Sequence, residues 1–245
     1  PVTILLAGLM ALPSWAAAPS SFVTGKTHQE RGDAFIRYLA YAKPRNPNFP
    51  KEAMPYYAAR LQLGIDPEGT RKVIDRMLDA TVKARPDPFN MHAVMHAYLL
   101  NRDAFTPEMR EKIKRIVSTP NYGRPAGVSL NYELMRGGAG FLAAQEWPDL
   151  KDSRGNDAAK IARFCRKYLM IQFSGTCSRN ASEYDAPVYY GTDFAPTRMV
   201  AEFSKDDELA RAAKMTLDFM LIHTGCHWHR GYHISSAGRG KYWGS

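Results

Sequence analysis

Apolar residues recur along this chain at intervals of three and four, the spacing of one helix face, and they do so in segment after segment. After Asp66-Pro67 the apolar positions are Val73, Ile74, Met77, Leu78 and Val82; after Thr106-Pro107 they are Met109, Ile113, Ile116 and Val117. "DAAKIARFCRKYLMIQF" repeats the pattern with Ile161, Phe164, Cys165, Tyr168 and Leu169. Asp66-Pro67, Asp87-Pro88 and Thr106-Pro107 each put a capping side chain before a proline at the first helical position. Ser204 and Asp207 resemble a capping box ahead of "DDELARAAKMTLDFMLIHTG". No convincing alternation of period two appears. The pattern predicts an all-α chain of roughly nine helices, each of about 11 to 19 residues.

Two predicted helices depart from the amphipathic rule. Residues 129–147, "SLNYELMRGGAGFLAAQEW", carry Gly137, Gly138 and Gly140 in mid-helix. Each glycine costs about 1 kcal/mol against alanine there, so close approach by another helix or a ligand is expected. "LARAAKMTLDFMLIHTG" is apolar nearly all round and is expected to be buried on most sides. Amphipathic helices alternating with buried ones predict two concentric layers, an α/α toroid of helical hairpins. An irregular bundle or a repeat solenoid is the alternative, and no period of about 34 or 40 residues supports the solenoid. By contrast, "SEYDAPVYYGTDF" (182–194) reads as a connection, with Pro187 and Gly191 fixing a turn.

Composition changes the picture in three places. Lys and Arg number 33 against 24 Asp and Glu, a formal charge of +9. The charge is scattered, with no run of five or six basic residues, which argues against nucleic acid and suits an anionic polymer. "VTILLAGLMALPSWAAAPSS" reads as the apolar core of a secretory signal with a cleavage site near Ala16–Ala18. Residues 1–18 are therefore expected to be a signal remnant, 19–245 the toroid, and the protein exported to the periplasm or beyond. An apolar first helix packed on the body is the other reading, and no segment is long and apolar enough for a stable membrane span. Cys165, Cys177 and Cys226 are an odd set, allowing one disulfide and one free thiol.

"NYELMRGGAGFLAAQEWPD", "SEYDAPVYYGTDFAPTRMVAEFSKDDELARAAKMTLDFML" and the Gly/His/Arg-rich segment after them resemble secreted bacterial α/α-toroid carbohydrate-active proteins. The likeness is to the heparinase II/III and alginate lyase group and to six-hairpin glycosidases, and it spans roughly residues 65–245. A complete six-hairpin toroid needs more helices than this chain offers, so the resemblance implies a fragment. It also implies a sugar-binding cleft at one end of the inner helices, with Tyr184, Tyr189 and Tyr190 at its mouth. Asn131 would neutralise a uronate carboxylate, and a histidine or tyrosine would remove the adjacent proton. Glu133, Glu183 and Asp185 would bind hydroxyls, or act as paired carboxyls if the enzyme were a hydrolase.

"HTGCHWHRGYHISSAGRG" (223–240) is the densest chemical stretch. His227 and His229 are candidate acid–base groups near neutral pH. Arg230, His233 and Arg239 would form a cationic rim for a carboxylate or sulfate. The HxHxxxH spacing is a loose match to a zinc site, so no cofactor is expected, with zinc or calcium the lesser alternatives. His92 and His96 lie four apart but interleave with Met91, Val94, Met95 and Leu99, as packing residues do. No phosphate-loop, dinucleotide or nucleophile-elbow motif is present. The expected function is a secreted lyase cleaving a uronate-containing polysaccharide by β-elimination. A glycoside hydrolase on the same fold and a non-catalytic glycan-binding scaffold are the alternatives.

Overall fold

Local capping chemistry sets where most helices begin. The computed structural model describes residues 27–84, 86–125, 127, 129–179, 187–229 and 232–233, without the side chains of 179, 187–190, 228, 229, 232 and 233. Helix α1 (His28–Tyr41) opens with a capping box between Thr27 and Glu30. Helix α2 spans Pro50–Gln62. Asp66, Asp87 and Thr106 accept from the backbone N–H of Gly69, Asn90 and Met109, opening α3 (Pro67–Lys83), α4 (Pro88–Leu100) and α5 (Pro107–Val117) as expected. Then come α6 (Leu130–Glu146), α7 (Ala158–Arg179), α8 (Pro187–Phe203) and α9 (Asp207–Cys226). The all-α class is thus observed. The only strands among the described residues form one antiparallel pair, β1 (Trp228–His229) with β2 (Tyr232–His233). Among those residues no helix is long and apolar enough to cross a membrane.

The chain divides into two compact units, one ending at Thr119 and one beginning at Pro120. In the first, α2 packs against α1, α3 and α4, while α5 packs against α3 and α4. In the second, α6 packs against α7 and α8, and α9 against α8 and α7. Each unit therefore joins successive hairpins side by side, with alternate helices in contact.

Burial follows the same alternation. In α4, α6 and the part of α8 whose side chains are described, most positions are covered, including Asn90 to His92, Leu134 to Ala144 and Asp193 to Ala201. Helices α3, α5 and α7 bury one stripe each; in α5 it is Met109, Ile113, Ile116 and Val117. Their other faces carry charge, as the amphipathic pattern predicts.

The covered helices are not all the ones that composition suggests. Residues 187–194 are not a connecting loop: Pro187 opens α8, and Phe194, Thr197, Arg198 and Ala201 are buried at helical spacing. A proline at a first helical position pre-sets the backbone there, so turn-like composition did not produce a turn. Conversely, α9 is not buried on most sides. It buries Leu209, Ala213, Thr216 and Met220 but exposes Met215, Leu221 and Ile222. Its cap is Asp206, which accepts from Leu209 N–H; Ser204 instead accepts from Asp206 N–H.

The glycines of α6 are explained by protein packing. A methyl group on Gly137 would sit 3.4 Å from Leu169 of α7, and one on Gly138 would sit 3.2 Å from Val200 of α8. At Gly140 it would come within 2.2 Å of the Tyr122 ring, which is fully buried. Close approach by neighbouring elements is therefore the reason for them, not a ligand. All three cysteines are free thiols, Cys165 buried and the other two exposed, so the one disulfide that an odd set allows does not form.

Candidate functional site

Which end of each helix the chemistry occupies follows from register. On α6, Gly138 faces Val200 and Met199 of α8. Seven residues later, Gln145 donates to the Phe203 carbonyl at 2.9 Å and accepts from Lys205 N–H at 2.7 Å. Both contacts advance in the same sense along the two helices, so α6 and α8 run parallel. Stepping back seven residues from Gly138 on both helices sets Asn131, in the first turn of α6, near Thr192 and Asp193, just past the first turn of α8. Helix α9 returns antiparallel through the turn at Ser204–Asp206, so its last turns, with His223 and His227, lie at the same end. Three stretches far apart in sequence thus share one end of the second unit.

The described side chains at that end have definite partners. Asn131 is 1% exposed. Its Oδ1 accepts from the Ser129 hydroxyl in a short bond and from Tyr132 N–H at 2.9 Å. Both bonds fall on the amide oxygen, so the Nδ2 donors are what the group could offer an anion. Helix α6 has no side-chain cap, unlike α1, α3, α4, α5 and α9.

Glu133 accepts from Gly127 N–H at 3.1 Å and pairs with Arg136 at 3.3 Å. Arg136, buried, also donates to the carbonyls of Asn121 (3.0 Å) and Arg124 (2.6 Å) and lies over the Tyr122 ring. This pair ties Asn121, Arg124 and Gly127 to the start of α6. Asp152 anchors the same segment by accepting from Tyr122 N–H at 3.1 Å. Burial alone would raise its pKa, but donors from Asn156, Arg154 and Tyr122 hold the carboxyl below its ordinary range. Burial pushes the Tyr122 phenol well above its ordinary value.

At the end of α9, Phe219, His223 and His227 form a ladder of rings. Centroids are 6.1 Å apart for the first pair and 4.7 Å for the second. His227 Nδ1–H donates to the His223 carbonyl at 3.0 Å. That bond fixes the tautomer of the neutral ring, leaving the lone pair on Nε2.

Tyr189 and Tyr190 are placed by backbone in the first turn of α8, and His229 and His233 in β1 and β2. Glu183, Tyr184, Asp185, Arg230, Arg239 and the signal-like 1–18 lie outside the described residues. Sequence reasoning missed Arg136, Tyr122 and Asp152, which shape the start of α6, and the buried Asp193 on α8. The only local signals were a lone arginine beside two glycines and a "DSRGN" turn.

His92 and His96 belong to packing, as their interleaved apolar neighbours predict. Both are buried on α4, with rings stacked at 5.6 Å. His92 Nδ1 has no hydrogen-bond partner among the described residues. Burial, and then the neighbouring His96, push its pKa down to about 3.

Among the described residues no group of three or more His, Cys, Asp or Glu could hold a metal ion. No known protein family, no curated protein and no solved structure matches the chain.

Proposed function

We propose that this protein is an exported α/α-toroid enzyme, or a piece of one, that cleaves an anionic, uronate-containing polysaccharide by β-elimination. The observation that carries the reading is the common end shared by the first turns of α6 and α8 and the last turns of α9. Asn131, Tyr189, Tyr190 and His227 all belong to stretches at that end of the second unit. The side-by-side hairpins and alternating burial of each unit support the toroid, and the +9 charge supports an anionic partner.

In the proposed reaction Asn131 Nδ2 donates to the uronate carboxylate, making the C5 proton more acidic. His227 Nε2, or His229, removes that proton. The electron pair forms the C4=C5 double bond as the C4–O bond breaks, and Tyr189 or Tyr190 protonates the departing oxygen. Glu133 is held by Gly127 and Arg136, so it serves this chemistry better as part of the frame than as a hydrolytic acid. Arg230, His233 and Arg239 would bind neighbouring anionic sugars, with Glu183, Tyr184 and Asp185 on hydroxyls. No cofactor is required.

Incubation with alginate, heparan sulfate, chondroitin sulfate and ulvan tests this. Growth of the ultraviolet absorbance of an unsaturated uronate on one of them is expected. New reducing ends without that absorbance would contradict elimination and indicate hydrolysis. The burial of Asn131 favours a second reading, a glycan-binding module without chemistry, which would bind such polymers and release nothing.

A further inference from the structure

The first unit repeats the hairpin layering of the second, and the first turns of α2 and α4 lie side by side. Lys51 N–H donates to Asn90 Oδ1 at 3.3 Å, tying those turns together. There, the Lys51 ammonium sits between two aromatic rings, 5.1 Å from the centroid of Phe49 and 4.9 Å from that of Phe89. All three side chains are partly exposed.

Two features set this cluster apart from ordinary surface. Lys72, Lys112 and Lys114 of the same unit each pair with a carboxylate. Lys51, like Lys43 and Lys83, has no ion pair among the described residues, but among the described lysines it is the one whose ammonium lies over ring faces. Moreover, Phe49 occupies the N-cap of α2 and makes no side-chain cap bond. Serine, threonine, aspartate and asparagine are preferred there, and a large aromatic satisfies no helix donor. A local rule broken at a partly exposed position points to function.

We propose that Phe49, Lys51 and Phe89 form a second binding subsite, for a carboxylate- or sulfate-bearing sugar. One ring stacks on the apolar face of the sugar while Lys51 pairs with its charge. The rings pre-position the ammonium, so little side-chain freedom is lost on binding. The subsite rests on the anionic-polysaccharide reading but uses none of the residues assigned to elimination.

The test is calorimetric titration of the full chain with an alginate tetrasaccharide at low salt, together with lysine acetylation footprinting. Lys51→Met should weaken binding roughly tenfold, the worth of one charge-assisted hydrogen bond. Lys51→Arg should retain binding, and the sugar should protect Lys51 from acetylation. Thermal melting of each variant, expected to match the parent, separates lost binding from lost folding. If the parent binds but Lys51→Met binds equally well and Lys51 is labelled at the same rate, the subsite is overturned and the α6–α8 site stands. If neither alginate, heparan sulfate nor chondroitin sulfate fragments bind the parent, the polysaccharide reading falls and the subsite with it.

Discussion

Gly140→Ala and Gly137→Ala, compared with each other, probe how α6 is packed. Both replacements sit inside one helix and gain the same helix propensity, about 1 kcal/mol. Their surroundings differ. The new methyl at position 137 meets Leu169 at 3.4 Å, an ordinary contact that adds apolar packing. At position 140 it would lie 2.2, 2.6 and 2.9 Å from three atoms of the Tyr122 ring. That ring cannot swing into solvent, being buried beneath the Arg136 guanidinium. Overpacking of this kind costs about 1–3 kcal/mol and often more, which outweighs the propensity gain. Gly137→Ala should therefore be neutral or stabilising, and Gly140→Ala destabilising by about 1–2 kcal/mol net, or roughly 5 °C in melting temperature for a chain of this size. Urea denaturation followed by circular dichroism gives both values. Gly140→Ala as stable as Gly137→Ala would refute the account of Tyr122 lying across α6.

Other outcomes follow from buried groups. His92 titrates at about 3 in the fold against about 6.5 unfolded, so its contribution is complete above pH 6.5 and is lost as pH falls. The loss should approach ~1.4 kcal/mol per pH unit below 6.5, and His92→Phe should flatten it; equal acid sensitivity in the variant would contradict the assignment. Arg136→Met should cost about 3 kcal/mol by leaving the mostly covered Glu133 without its charge partner, and adding Glu133→Gln should recover part of it. Strict additivity of the two changes would show that the pair is not coupled. With a thiol reagent, Cys177 and Cys226 should react in the native protein, while Cys165, whose pKa burial raises, should react only after unfolding. Three equally fast thiols would mean that α7 does not bury Cys165.

Helix starts were legible because their causes are local. Asp66, Asp87 and Thr106 each satisfy a backbone donor three residues on, and nothing distant can change that. The layer each helix joins was not legible, because neighbours decide it. Pro187 and Gly191 look like turn residues, yet both lie in α8, where residues 193–201 are buried without a break. Met215, Leu221 and Ile222 look like core, yet they face outward on α9. At the candidate site, sequence could mark Asn131 and Glu133 as the start of a helix. It could not show that Ser129 and Tyr132 hold the amide oxygen or that Arg136 claims Glu133. Those contacts depend on where Asn121, Arg124 and Gly127 lie against α6, which no periodicity records. The glycines of α6 did announce close approach, and the structure supplied its partners.

The central claim is that one end of the second unit, and not the other, meets the sugar. Hydrogen–deuterium exchange with and without a saturating alginate or heparan sulfate oligosaccharide tests it most directly. The account predicts slowed exchange in 129–133, 187–192 and 223–229, with 143–147 and 203–208 unchanged. Protection concentrated at 143–147 and 203–208, the opposite ends of α6 and α8, would contradict it.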